Sequence, residues 1–178
     1  MAGRKYVRDY RLVETMDERG RIRVETEYLG AYYVFAAGTK AAAAGKRRLL
    51  ALCSLGWAGY LAALSFSSAA IRTVYVALPF VFTALPLWLL TALALSVRTD
   101  GKPMERAAAE KLSGGLAPRA GFAAALPAAA LLGEAIVFFT RRAAIRPGDL
   151  GFVCGALLAA LCGAAALRRK EALAVREA

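Results

Sequence analysis

The sequence predicts a mainly α-helical, polytopic membrane protein with four transmembrane helices and a small N-terminal cytoplasmic β-hairpin or three-stranded meander. Three observations lead there. Four long apolar stretches lift the hydrophobic share to 59% of 178 residues. The Lys and Arg residues concentrate on alternate connections between those stretches. A charged segment with period-two patterning, "ETMDERGRIRVETEYLGAYYVF", precedes the first of them. Together they divide the chain into a hairpin segment at 1–38, a transmembrane region at 39–167 and a basic cytoplasmic tail at 168–178.

The apolar stretches cover about 49–71, 74–97, 120–140 and 150–167. A helix needs about 20 such residues to cross a ~30 Å hydrocarbon layer. The second stretch is the most strongly apolar, with 13 Leu, Phe or Val residues. The third gives up part of its insertion energy to Glu134. The fourth is short and rich in Ala and Gly, so it depends on packing by its neighbours; three spans is the alternative count. No apolar run follows the charges of "MAGRKYVRDYRLVE", so no cleavable signal peptide is expected.

Charge sets the orientation. Residues 1–48, the 98–119 connection and the tail together hold 20 of the 24 Lys and Arg residues. Short loops rich in these residues stay in the cytoplasm, which puts both termini and the 98–119 loop inside, as expected of a multi-pass protein of a cell inner membrane. Lys46, Arg47 and Arg48 abut the first span, and Arg168, Arg169 and Lys170 follow the last. They anchor the topology, with anionic lipid headgroups as their natural neighbours. Charge spread over membrane boundaries forms no single basic stripe, so nucleic acid is not an expected partner.

The hairpin register follows from the faces it must separate. A three-residue loop at Glu18-Arg19-Gly20, with Gly20 in the left-handed position, sets Asp17 opposite Arg21, Met16 opposite Ile22, and so outward to Tyr10 opposite Tyr28. One face then collects Tyr10, Leu12, Met16, Ile22, Val24 and Tyr28, and the other the pairs Asp17–Arg21 and Arg11–Glu27. A two-residue loop would set Met16 against Arg21 and mix the faces. "AYYVFAAG" offers a third strand at Ala31–Ala36, or aromatics at the membrane interface. An isolated hairpin is marginal in water. The apolar face therefore needs the membrane-proximal helix ends, a second copy or another protein.

From Thr39, read as an N-cap, the chain favours a helix that begins in the cytoplasm before the first span. The 98–119 loop reads as a short helix from Pro103 to Leu112, braced by Arg106 and Glu110 at i,i+4 and ended by Gly114-Gly115.

Within the spans, Glu134 is the candidate intramembrane residue. Ala120, Pro127, Glu134 and Arg141 recur every seven positions and share a face. A carboxylate in lipid is protonated or paired, with Arg141 or Arg72 on the same outer side as the expected partners and a proton- or cation-handling role as the sharper reading. Gly151, Gly155, Ala159 and Gly163 form a small-residue stripe for close helix packing, inside the protein or between two copies through "GFVCG". Pro79 and Pro86 share a face of the second span and are read as ordinary transmembrane prolines rather than as a broken transporter helix. Cys53, Cys154 and Cys162 are small packing residues, with the last two on roughly one face. "AAIR" occurs at 69–72 and at 143–146, a hint of a repeat too short to carry weight.

No histidine, P-loop, Gly-x-Ser-x-Gly or HExxH is present, so neither an enzyme, a metal nor a cofactor is expected. The expected function is a non-enzymatic membrane component whose hairpin docks a partner protein or a second copy. The alternative is a small transporter or channel component using Glu134 as a proton or cation site.

Overall fold

A computed structural model describes residues 9–16, 22–66, 68, 70–141 and 146–178. It is mainly helical, with four helical stretches long and apolar enough to cross a membrane: Gly38–Ser65, Val74–Ser96, Arg106–Thr140 and Pro147–Arg168. Small antiparallel sheets gather at one end.

Strands β1 (Tyr10–Met16) and β2 (Ile22–Tyr28) pair antiparallel from Tyr10↔Tyr28 to Met16↔Ile22. This is the register that separates the apolar from the charged face. The loop at Glu18-Arg19-Gly20 and the Asp17–Arg21 pair lie outside the described residues. The third strand, β3 (Tyr32–Phe35), does not extend the hairpin into a meander. It sits in a second sheet, between β4 (Met104–Glu105) and β5 (Val175–Glu177). The C-terminal tail takes part in this sheet. After a 3-10 turn at Lys170–Leu173 it folds back, buries Leu173 in the core and closes the sheet, with Ala36 N–H donating to Ala174 O at 2.9 Å and Ala178 N–H to Tyr32 O at 2.9 Å.

Helix α1 (Gly38–Ser65) begins one residue ahead of Thr39. Gly38, at φ +79°, takes the left-handed step that turns the chain out of β3. Thr39 is not the N-cap; Ala37 holds that position without a side-chain bond. The second stretch is two helices, α2 (Val74–Phe82) and α3 (Ala84–Ser96), meeting at Thr83. Pro86 has no N–H for the Phe82 carbonyl four residues back, and its ring crowds that oxygen, so the regular helix stops there. The buried Thr83 stitches the break: its N–H donates to Phe80 O at 3.1 Å and its hydroxyl to Pro79 O at 3.0 Å.

Helix α4 (Arg106–Arg141) overturns the expected short helix. Pro103 precedes it in an irregular stretch, Arg106 and Glu110 do form their i,i+4 ion pair at 2.9 Å, and the helix runs on through Gly114-Gly115. The reason is tertiary. Leu112, Leu116, Ala120, Ala123, Pro127, Ala130, Glu134 and Val137 are all buried, and their spacing is that of one continuous helical stripe. Burial of that stripe outweighs the ~1 kcal/mol each glycine costs a helix.

Helix α5 (Pro147–Arg168) opens on proline, with Asp149 accepting from the Arg146 N–H at 2.9 Å. It packs chiefly on α1 and α4, while α4 also meets α2 and α3. Tyr60, Phe80 and Phe152, from α1, α2 and α5, form the aromatic centre with successive ring centroids 5.0 and 4.8 Å apart. Trp57 Nε1–H donates to Thr91 Oγ1 at 3.2 Å, joining α1 to α3.

Candidate functional site

Two places gather the chemistry: the sheet end of the bundle and the opposite end around Glu134.

At the sheet end, β3, β4 and β5 hydrogen-bond three segments that are 70 or more positions apart in the chain. The N-terminal segment, the connection after α3 and the C-terminal segment therefore meet at one end of the bundle. Lys46 has a partner within the bundle. Its Nζ donates to Val97 O at 2.6 Å and satisfies a carbonyl at the end of α3, where a cation also suits the helix dipole. Arg47, Arg48, Arg168, Arg169 and Lys170 stay exposed.

The hairpin is fastened here by its open end. Tyr10 and Tyr28 stack edge-on at 5.1 Å and Tyr28 and Tyr32 at 5.1 Å. The Tyr10 hydroxyl donates to Glu105, the Tyr28 hydroxyl donates to Ala31 O at 3.0 Å, and the Arg106 N–H donates to the Tyr28 hydroxyl at 2.9 Å. Beyond these tyrosines the apolar face is bare: Leu12, Met16, Ile22 and Val24 are 72, 80, 64 and 57% exposed. Glu14, opposite Val24, is the one carboxylate on that face.

The bond to the Glu105 carboxylate pushes the Tyr10 phenol up to about 12. The phenol must keep its proton to donate, so the tether is intact below the ordinary tyrosine value of about 10 and is lost as pH rises through about 12. Spin labels at Glu25→Cys and Arg168→Cys should hold one distance to about pH 10 and spread by pH 12. With Tyr10→Phe the spread should already be present at neutral pH.

At the other end, Glu134 is 8% exposed and buried under the connection between α1 and α2. Neither expected arginine is seen to hold it. Arg72 is exposed, and no ion pair joins it to Glu134 among the described residues; the side chain of Arg141 lies outside them. The partner is Ser68, whose hydroxyl donates to Glu134 Oε1 at 2.8 Å. Oε2 is buried and has no hydrogen-bond partner among the described residues. The carboxyl thus has one oxygen fixed and one with an open lone pair, a geometry that can take a proton, a monovalent cation or a water. Ser68 is not legible from sequence spacing because it is 66 positions away; its one signal is the serine cluster "SFSS" that ends the same apolar stretch as Arg72. Among the described residues no cluster of His, Cys, Asp or Glu could hold a metal.

The small-residue stripe is used up inside the protein. A Cβ on Gly155 would lie 2.6 Å from Gly59 O and 2.7 Å from Ala63 N on α1, and one on Gly163 would lie 2.5 Å from Ala124 N on α4. Ala159 is fully buried, and Gly151 is covered by the Phe66 ring. All three cysteines are free; Cys53 and Cys162 pack in the interior, whereas Cys154 is on the outward face, away from Cys162.

Compared with protein-family models, curated proteins and solved structures, the chain matches none.

Proposed function

We propose that the protein is a non-enzymatic, multi-pass membrane component whose hairpin, on the cytoplasmic side, docks a partner protein or a second copy. One observation carries the reading: the hairpin is fixed to the bundle at Tyr10 and Tyr28, yet its far half exposes Leu12, Met16, Ile22 and Val24. Four large apolar side chains in one patch on a polar, anchored strand pair are what an interaction surface requires. The cytoplasmic assignment rests on the sharing of one end by the segments rich in Lys and Arg.

The test replaces Leu12 and Val24 with Thr and Met16 and Ile22 with Ser. These side chains are exposed, so the fold should keep its stability to within about 0.5 kcal/mol. The mass of the detergent-purified protein and the recovery of co-purifying protein should both fall relative to the unchanged chain. If neither changes, the docking reading is lost. Sidedness has its own check: in a cysteine-free background, Glu14→Cys and Arg176→Cys should resist an impermeant reagent in intact cells and react once the membrane is opened.

A second reading has one observation in its favour. The open Oε2 of Glu134, buried in a span, fits a proton or cation site in a small transporter or channel component.

A further inference from the structure

We propose that a cavity between the end of α3 and the start of α4 binds the phosphate-bearing headgroup of an anionic lipid. The cavity has a volume of about 390 Å³, the size of a small-ligand site. Its inner wall is apolar: Leu93, Val97 and Leu112 line it and belong to the buried core. Its mouth carries Arg98, Lys102 and Lys111, all exposed and in no ion pair among the described residues. Two carboxylates, Asp100 and Glu105, also line it. Glu105 accepts the Tyr10 hydroxyl's hydrogen bond and keeps its charge, so three cations face two carboxylates and the rim is net positive.

The position decides the class of ligand. Val97 ends α3, the point at which that helical stretch gives way to a charged loop. An apolar floor below a cationic rim at that level suits an amphiphile, with phosphate oxygens against the rim and the glycerol end of the chains against Leu93 and Val97. Arg98 supplies planar paired donors for phosphate, and the two lysines supply point charge. A soluble phosphate would use the rim and leave the floor idle.

The inference rests on the membrane reading, which the cysteine labelling tests separately. The purified full-length protein would be equilibrated with mixed micelles of phosphatidylglycerol and phosphatidylcholine, and retained lipid counted by native mass spectrometry. The unchanged protein should keep phosphatidylglycerol in preference. Arg98→Ala/Lys102→Ala/Lys111→Ala should lower its retention about tenfold or more. Ala108→Phe, which fills the cavity and leaves every charge in place, should do the same. Arg47→Ala/Arg48→Ala/Arg168→Ala, which removes equal charge elsewhere on the same end, should change it less than about twofold. Thermal melting of each variant separates lost binding from lost fold. Equal losses from the two triple variants would reduce the site to a general basic belt and overturn the proposal. So would retention indifferent to Ala108→Phe. Displacement of the lipid by an equal concentration of glycerol phosphate would assign the rim to a soluble phosphate and sink the lipid.

Discussion

Gly155→Leu will drive α5 away from α1 and cost the protein about 3 kcal/mol or more, enough to stop it accumulating in folded form. The first added carbon alone would lie 2.6 Å from Gly59 O and 2.7 Å from Ala63 N. Those are backbone atoms of a packed helix, which cannot swing aside as a side chain can. Overpacking usually costs 1–3 kcal/mol, and here the remaining three carbons need room as well. The gain in helix propensity on leaving glycine, at most ~1 kcal/mol, acts in the opposite direction and loses. Gly114→Ala is the control: nothing lies within 4 Å of its added carbon, so it should stabilise α4 by about 0.5–1 kcal/mol. Unfolding of both variants in mixed micelles measures the difference. If Gly155→Leu melts with the unchanged protein, the close approach of α1 and α5 is wrong.

That contrast shows where the sequence was legible. The spacing of Gly151, Gly155, Ala159 and Gly163 announces a close-packing face, but the partner of the face is a tertiary fact, and α1 and α4 share it. The hairpin register could be read in full over the described strands because the two faces differ in chemistry and a one-residue slip would mix them. The second sheet could not. Strands of two to four residues have no measurable period, and their partners lie 71 to 144 positions away. The tail reads as basic and polar because four of its eleven residues are Lys or Arg, and that composition conceals Leu173, the residue that seats it.

Local rules also lost to packing in α4. Gly114-Gly115 is a sound stop signal for an isolated helix, and only the buried stripe from Leu112 to Val137 overrides it. Pro86 shows the reverse: its backbone chemistry does break a stretch whose composition alone reads as one helix. Lys46 was legible as a cation at the boundary, but its acceptor, the carbonyl of Val97, could be found only once α1 and α3 were side by side.

Glu134 is where structure and function will separate. Ser68→Ala removes the one hydrogen bond the carboxyl makes among the described residues and should cost about 1–3 kcal/mol. Glu134→Leu removes the polar group itself, and apolar replacement of a buried ionisable group is often neutral or stabilising. In the Glu134→Leu background Ser68→Ala should therefore cost much less, with a coupling of about 1–3 kcal/mol between the two positions. A structural role is met by burial and the Ser68 bond, whereas a transported proton or cation must also reach the second oxygen. If the second reading holds, liposomes bearing Glu134→Leu or Glu134→Gln will lose proton or cation flux while the protein melts no lower than the unchanged chain. If both variants leave flux unchanged and Glu134→Leu destabilises as much as Ser68→Ala, the carboxyl serves packing alone, and the hairpin is left as the seat of function.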